Sequence, residues 1–196
     1  MAIKEANEIT VKVLCSNEEL IEQLIKNGFK EKTRFSMDDS YFIPDNLELN
    51  ILSAREILSK AIIIRYIEEK GINKQMIIFK KKEFNENGDI LSQQAFNCII
   101  KDNEEAKILF SQIGYKEIMN IKEQDIVYYK DSIELAVKYM KGYPTLIEFE
   151  TDEHFQTVED LIYTMDSFNL DIEKGNYFVK KAEMVLNQIL KESVVL

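Results

Sequence analysis

The chain has a single histidine, His154, and only two cysteines, Cys15 and Cys98. One histidine excludes a histidine triad or a histidine metal centre, and His154 lies beside an acidic segment that reads as surface. Two cysteines without metal-ligand spacing fit a reducing cytoplasm. Long apolar runs are missing too. Stretches such as Ala61 to Ile64 fall far short of the ~20 residues that span a bilayer, which argues against a membrane protein. The N-terminus carries lysine and glutamates with no apolar core segment, so it does not read as a signal peptide. Basic residues are outnumbered: 25 Lys and Arg stand against 35 Asp and Glu, a net charge of -10. Nucleic acid and anionic membrane surfaces favour a broad basic face and are therefore poor partners. A small anion in a local basic pocket stays compatible with that balance. No Pro-, Gly- or Ser-rich linker divides the chain, and 196 residues that are 45% hydrophobic suit one domain with an adequate core.

What the sequence does have is alternation. Eight strands are predicted, near 7–15, 33–43, 61–69, 75–83, 90–101, 118–129, 132–138 and 144–151. Gly71-Ile72-Asn73, Asn87-Gly88-Asp89 and Lys141-Gly142-Tyr143-Pro144 read as hairpin turns. A short helix is expected around Ala54 to Leu58, and amphipathic helices over Thr157 to Phe168 and Phe178 to Lys191. One pattern occurs twice. Asn17-Glu18-Glu19 leads to Gly28-Phe29-Lys30-Glu31, and Asn103-Glu104-Glu105 leads to Gly114-Tyr115-Lys116-Glu117 at the same spacing. Ser16 with Glu19, and Asp102 with Glu105, suit capping boxes, and the glycines suit the left-handed position after a helix. A repeat this long points to two related halves, although amphipathic helices with such caps also arise independently. The expected fold is α+β, built on antiparallel strands.

Successive strand residues point to opposite faces. Glu148 and Glu150 therefore share a face, as do Glu8, Thr10 and Lys12, while Ile147, Phe149, Ile9 and Val11 point the other way. A single strand of this kind is often just a solvated outer face. Here the helices need an apolar seat, so the charged faces are expected to line the interior of a closed eight-stranded sheet. Arg65 and Lys80, with Lys12 and Lys122, would add cations to that lining; Lys80-Lys81-Lys82 also reads as a solvated hairpin end. Gathered carboxylates suit a hard divalent ion such as Mg²⁺, and gathered cations suit phosphate oxygens. The implied ligand is a short polyphosphate with its metal.

At these residues the chain resembles the CYTH, or triphosphate tunnel metalloenzyme, superfamily, which includes class IV adenylyl cyclases, thiamine triphosphatases and inorganic triphosphatases. The resemblance spans about residues 7 to 151. Its E-x-E-x-K signature corresponds to Glu8-Ile9-Thr10-Val11-Lys12, and its aspartate-threonine-tyrosine-phenylalanine signature to Asp39-Ser40-Tyr41-Phe42. The arginine strand corresponds to Ile62-Ile63-Ile64-Arg65, the lysine strand to Ile78-Phe79-Lys80, and the E-x-E strand to Glu148-Phe149-Glu150. The resemblance implies an eight-stranded antiparallel closed tunnel with helices outside and two related halves. It implies Mg²⁺ or Mn²⁺ on Glu8, Glu148 and Glu150, phosphate oxygens on Arg65, Lys80 and Lys122, and a catalytic Lys12 that contacts phosphate or orients the attacking group.

The chain also departs from that pattern. Thr10 stands in place of a glutamate, Ile63 in place of an arginine, Ala136 in place of an aspartate, and Gln124 near an expected arginine; acidic residues expected near Gln94 and Phe96 are absent. A hydrogen bond to a charged group contributes about 1.5–3 kcal/mol, so two lost arginines would weaken phosphate affinity by roughly 3–6 kcal/mol. Three readings follow. The first is a metal-dependent enzyme that hydrolyses a triphosphate such as tripolyphosphate, thiamine triphosphate or a nucleoside triphosphate, or cyclises the last. The second is an impaired tunnel that binds a phosphorylated ligand or other polyanion as a sensor. The third is a partner-binding module whose charged face is merely solvated.

Overall fold

The structure is a computed structural model that describes residues 8–84 and 90–193. Eight strands form one hydrogen-bonded sheet: β1 (Glu8–Lys12), β2 (Lys30–Pro44), β3 (Ile62–Glu69), β4 (Ile72–Phe84), β5 (Ile90–Ile100), β6 (Tyr115–Lys130), β7 (Ile133–Met140) and β8 (Leu146–Glu150). Their order is β1-β8-β7-β6-β2-β3-β4-β5. The chain is α+β, and the predicted strands match the observed ones in number and place. The turn at Asn87-Gly88-Asp89 lies outside the described residues.

The expected closure is not found. The ladder begins at β1 and stops at β5, and among the described residues no strand pairing joins those two. The segment after the helix Val158–Ser167 runs along β1. Its backbone accepts from Thr10 at Tyr177 (2.9 Å) and donates from Val179 to Thr10 (3.0 Å), and Glu173 donates to Lys12 (2.8 Å). Those bonds satisfy an edge that would otherwise carry unpaired amides and carbonyls.

Two compact units divide the chain. Among the described residues the first comprises 37–122 and 180–193, the second 8–36 and 123–179. Strands β2 and β6 each give one half to either unit. In the first unit, helix α3 (Asn103–Gln112) covers a small core of Phe42, Ile64, Ala106 and Phe110. Helix α2 (Ala54–Leu58) meets α5 (Lys181–Ser193), and Arg55 Nε donates to Glu183 Oε1 at 3.0 Å. In the second unit, helices α1 (Asn17–Lys26) and α4 (Val158–Ser167) contribute to a larger core with the apolar faces of β1, β7 and β8. Ile9, Val11, Leu135, Val137 and Ile147 are fully buried there. Each such side chain contributes about 1.5–3 kcal/mol relative to exposure, so this face of the strands is committed to the helices.

The repeated pattern is structural. Gly28 follows α1 at φ +88° and Gly114 follows α3 at φ +87°, a conformation that side chains with a Cβ rarely adopt. Ser16 and Glu19 form the full capping box of α1. At α3, Asp102 Oδ1 accepts from the amides of Glu104 (2.8 Å) and Glu105 (3.1 Å).

Candidate functional site

The second unit gathers the three glutamates singled out from the sequence. Strand β1 pairs with β8 so that Glu8 lies opposite Glu150 and Thr10 opposite Glu148. Because Ile9, Val11, Ile147 and Phe149 are held by the core, Glu8, Glu148 and Glu150 must all project from the other face. Each offers a carboxylate oxygen, and these oxygens lie within 4.8 Å of one another. Ligand oxygens around an octahedral ion at ~2.0–2.1 Å sit about 3–4 Å apart, so small side-chain rotations would bring the three onto one Mg²⁺ or Mn²⁺. The donor set is all oxygen, as those hard cations prefer. Lys12 shares the face of Glu8 and Thr10, half-buried and opposite Leu146.

The same face carries residues that the sequence reading missed. Strand β7 sets Ala136 opposite Glu148, and Lys138 opposite both Asp125 and Leu146. The Lys138 ammonium lies 2.9 Å from Asp125 Oδ2 and 3.4 Å from Glu148 Oε1. Lys138, Asp125 and Glu123 are all buried, at 6%, 1% and 4% exposure. Burial alone would lower the lysine pKa; the charges of Glu148, Asp125 and Glu123 and the hydrogen bond to Asp125 outweigh it and leave the pKa raised. Alternation could have shown that Glu123 and Asp125 share a face. It could not show that Lys138, on the next strand, balances them.

In the first unit, Arg65 makes a two-pronged contact with Asp39: Nε to Oδ1 at 2.7 Å and Nη2 to Oδ2 at 2.6 Å. The carboxylate is 1% exposed and the guanidinium side chain 18%. Register sets Arg65 opposite Met76 and Ile63 opposite Ile78, so Arg65, Ile63, Met76, Ile78 and Lys80 share one face. That face is not purely charged, since Ile63, Met76 and Ile78 are buried on it. Lys80 is half-buried.

Lys122 corrects one expectation. It lies 3.4 Å from Asp38 and its side chain is 75% exposed. Asp38 precedes Asp39 on β2, and Asn120 also donates to Asp38, at 2.6 Å. Adjacent strand residues point oppositely, so Lys122 and Arg65 occupy opposite faces of this unit and do not share a lining. A cleft of about 320 Å³ lies on the Lys122 side, lined by Asp38, Ser40, Gln75, Asn103 and Lys107 among others. The residues on the buried face of β6 are Met119, Ile121, Glu123 and Asp125, the register opposite to Lys122 and Gln124.

No protein-family model matches the chain. A curated protein of Methanocaldococcus jannaschii, named "Putative adenylate cyclase MJ0240", is 24% identical over 178 residues, covering 88% of this chain and 93% of its own length. The PH1819 protein of Pyrococcus horikoshii has a similar structure, with a TM-score of 0.67 at 18% identity over 93% of this chain and 99% of that one. A Hippeastrum protein, HpAC1, also superposes, with a TM-score of 0.60 at 13% identity over 94% of this chain and 96% of that one. Its structure is described as that of a "putative adenylyl cyclase" with a dominant triphosphatase activity. The chain is thus similar over most of its length to a curated putative adenylate cyclase and shares its fold with PH1819 and HpAC1, which is consistent with the resemblance that its motifs carry.

Proposed function

We propose that the protein binds a triphosphate compound together with a divalent cation and hydrolyses it slowly. The observation that carries this reading is the meeting of Glu8, Glu148 and Glu150 on one face of the second unit. A Mg²⁺ or Mn²⁺ ion held there supplies charge neutralisation at phosphate oxygens, which is the main requirement of phosphoryl transfer. Glu8, Glu148 and Glu150 are the proposed ligands. Lys12, on the same face, is the proposed group that contacts a phosphate or orients the attacking water. The names of the relatives support a triphosphate substrate and bring cyclisation into the same test.

The resemblance assigns phosphate oxygens to Arg65, Lys80 and Lys122. Asp39 engages Arg65, Lys122 occupies the opposite face and Lys80 stays half-buried on the face of Arg65, so the carboxylate cluster of the second unit carries the reading. That engagement favours a second reading, in which a phosphorylated ligand or other polyanion is bound and sensed without turnover. The test is a panel of tripolyphosphate, thiamine triphosphate and ATP, each with Mg²⁺ and with Mn²⁺, scored for binding, for phosphate release and for cyclic nucleotide. Metal-dependent phosphate release from one of them is expected. Binding without either product would favour the sensor reading, and neither binding nor product would defeat both.

A further inference from the structure

The buried lysine beside the glutamates has no role in that reading. Ammonium and metal ions compete for the same carboxylates, so where Lys138 sits decides what else can bind. Its Nζ lies 2.9 Å from Asp125 and 3.4 Å from Glu148, and Glu148 is also one of the three clustered glutamates. In sites that use two ions, the ions stand about 3.5–4 Å apart and share carboxylates between them. Glu148 is placed to be shared in that way, with Glu8 and Glu150 on one side and Asp125 on the other. The group on the Asp125 side is a lysine whose side chain is 8% exposed.

We propose that Lys138 is a built-in counter-cation that fills the second cation position of this face, so that Glu8, Glu148 and Glu150 take a single divalent ion. The inference rests on the metal reading above for that one ion. Lys138 acts here as a positioning residue: it holds Glu148 and Asp125 and touches no reacting atom. Its consequence is selectivity in number. A face with five carboxylates, Glu8, Glu123, Asp125, Glu148 and Glu150, then takes one divalent ion and has the Lys138 ammonium on its Asp125 side.

Mn²⁺ titration of the full-length chain, followed by electron paramagnetic resonance of the free ion, tests this with the metal alone. The wild type is expected to bind one Mn²⁺, the Lys138→Met variant two, and Lys138→Met with Asp125→Asn one again. Lys138→Arg keeps the cation and is expected to stay at one. A simple packing role for Lys138 would not change the stoichiometry. One Mn²⁺ in Lys138→Met at unchanged affinity would overturn the proposal, as would two in the wild type. No Mn²⁺ in the wild type but one in Lys138→Met would uphold the counter-cation while removing the single-ion reading of Glu8, Glu148 and Glu150. None in either would end both. If Lys138→Met unfolds without metal, Mn²⁺ is expected to restore its fold, and a chain that stays unfolded in Mn²⁺ contradicts the proposal.

Discussion

Asp39 and Arg65 meet through two parallel hydrogen bonds, at 2.7 and 2.6 Å, with the carboxylate 1% exposed and the guanidinium 18%. A fork-to-fork pair of this kind is strong and geometrically selective. It also fixes a cation that the sequence had reserved for phosphate. The pair is therefore a structural element of the first unit, whatever ligand the protein takes.

Removing one partner should reveal this. Arg65→Ala leaves Asp39 buried without its counter-ion, and breaking such a pair costs about 3–5 kcal/mol. Replacing both, as Asp39→Leu with Arg65→Met, is expected to recover most of that loss, because no buried charge remains. Urea unfolding of the three proteins measures it. A loss below about 1 kcal/mol in Arg65→Ala would mean that water already screens the carboxylate.

Alkaline pH should weaken the fold in a defined window. Burial, then the neighbouring Tyr128, pushes the Tyr139 hydroxyl up to about 12 from its ordinary 10.0. Between those values the unfolded chain has lost the phenolic proton and the native chain keeps it. The native state then binds more protons, so stability falls as pH rises from about 10 and levels off beyond about 12. Lys138 works in the same sense. Its pKa lies above the usual 10.5, so its contribution is complete below that value and is lost as pH rises through the higher one. Melting temperatures from pH 9 upward, compared with Tyr139→Phe, are expected to show a shallower decline in the variant. Equal slopes would assign the loss to other groups.

Much of this fold is legible in the sequence because its strands alternate cleanly. The third strand is expected at 61–69 and found at Ile62–Glu69, and the helix after Asp102 ends at the glycine that the repeat singled out. The glutamate cluster is legible for the same reason: apolar residues between the acids fix which way the acids point. Strand β6 is where alternation misleads. Its polar residues fall on both faces, and the lysine chosen as a lining cation, Lys122, is the solvated one. The residues that do turn inward are Glu123 and Asp125, and Lys138 reaches Asp125 from β7. A contact between strands leaves no trace in the spacing of either. Ile63 teaches a related point. It shares the face of Arg65 yet is buried with Ile78 and Met76, so that face is packed as well as charged.

The most direct test of the account is the melting temperature with and without Mg²⁺ and tripolyphosphate, in the wild type and in the Glu148→Ala, Glu150→Ala double variant. A ligand that binds only the native state raises stability by an amount that grows with the logarithm of its concentration relative to its dissociation constant. The wild type is expected to melt higher when metal and tripolyphosphate are both present, and the double variant to show no rise. An equal rise in the double variant would place the metal away from Glu148 and Glu150 and contradict the account.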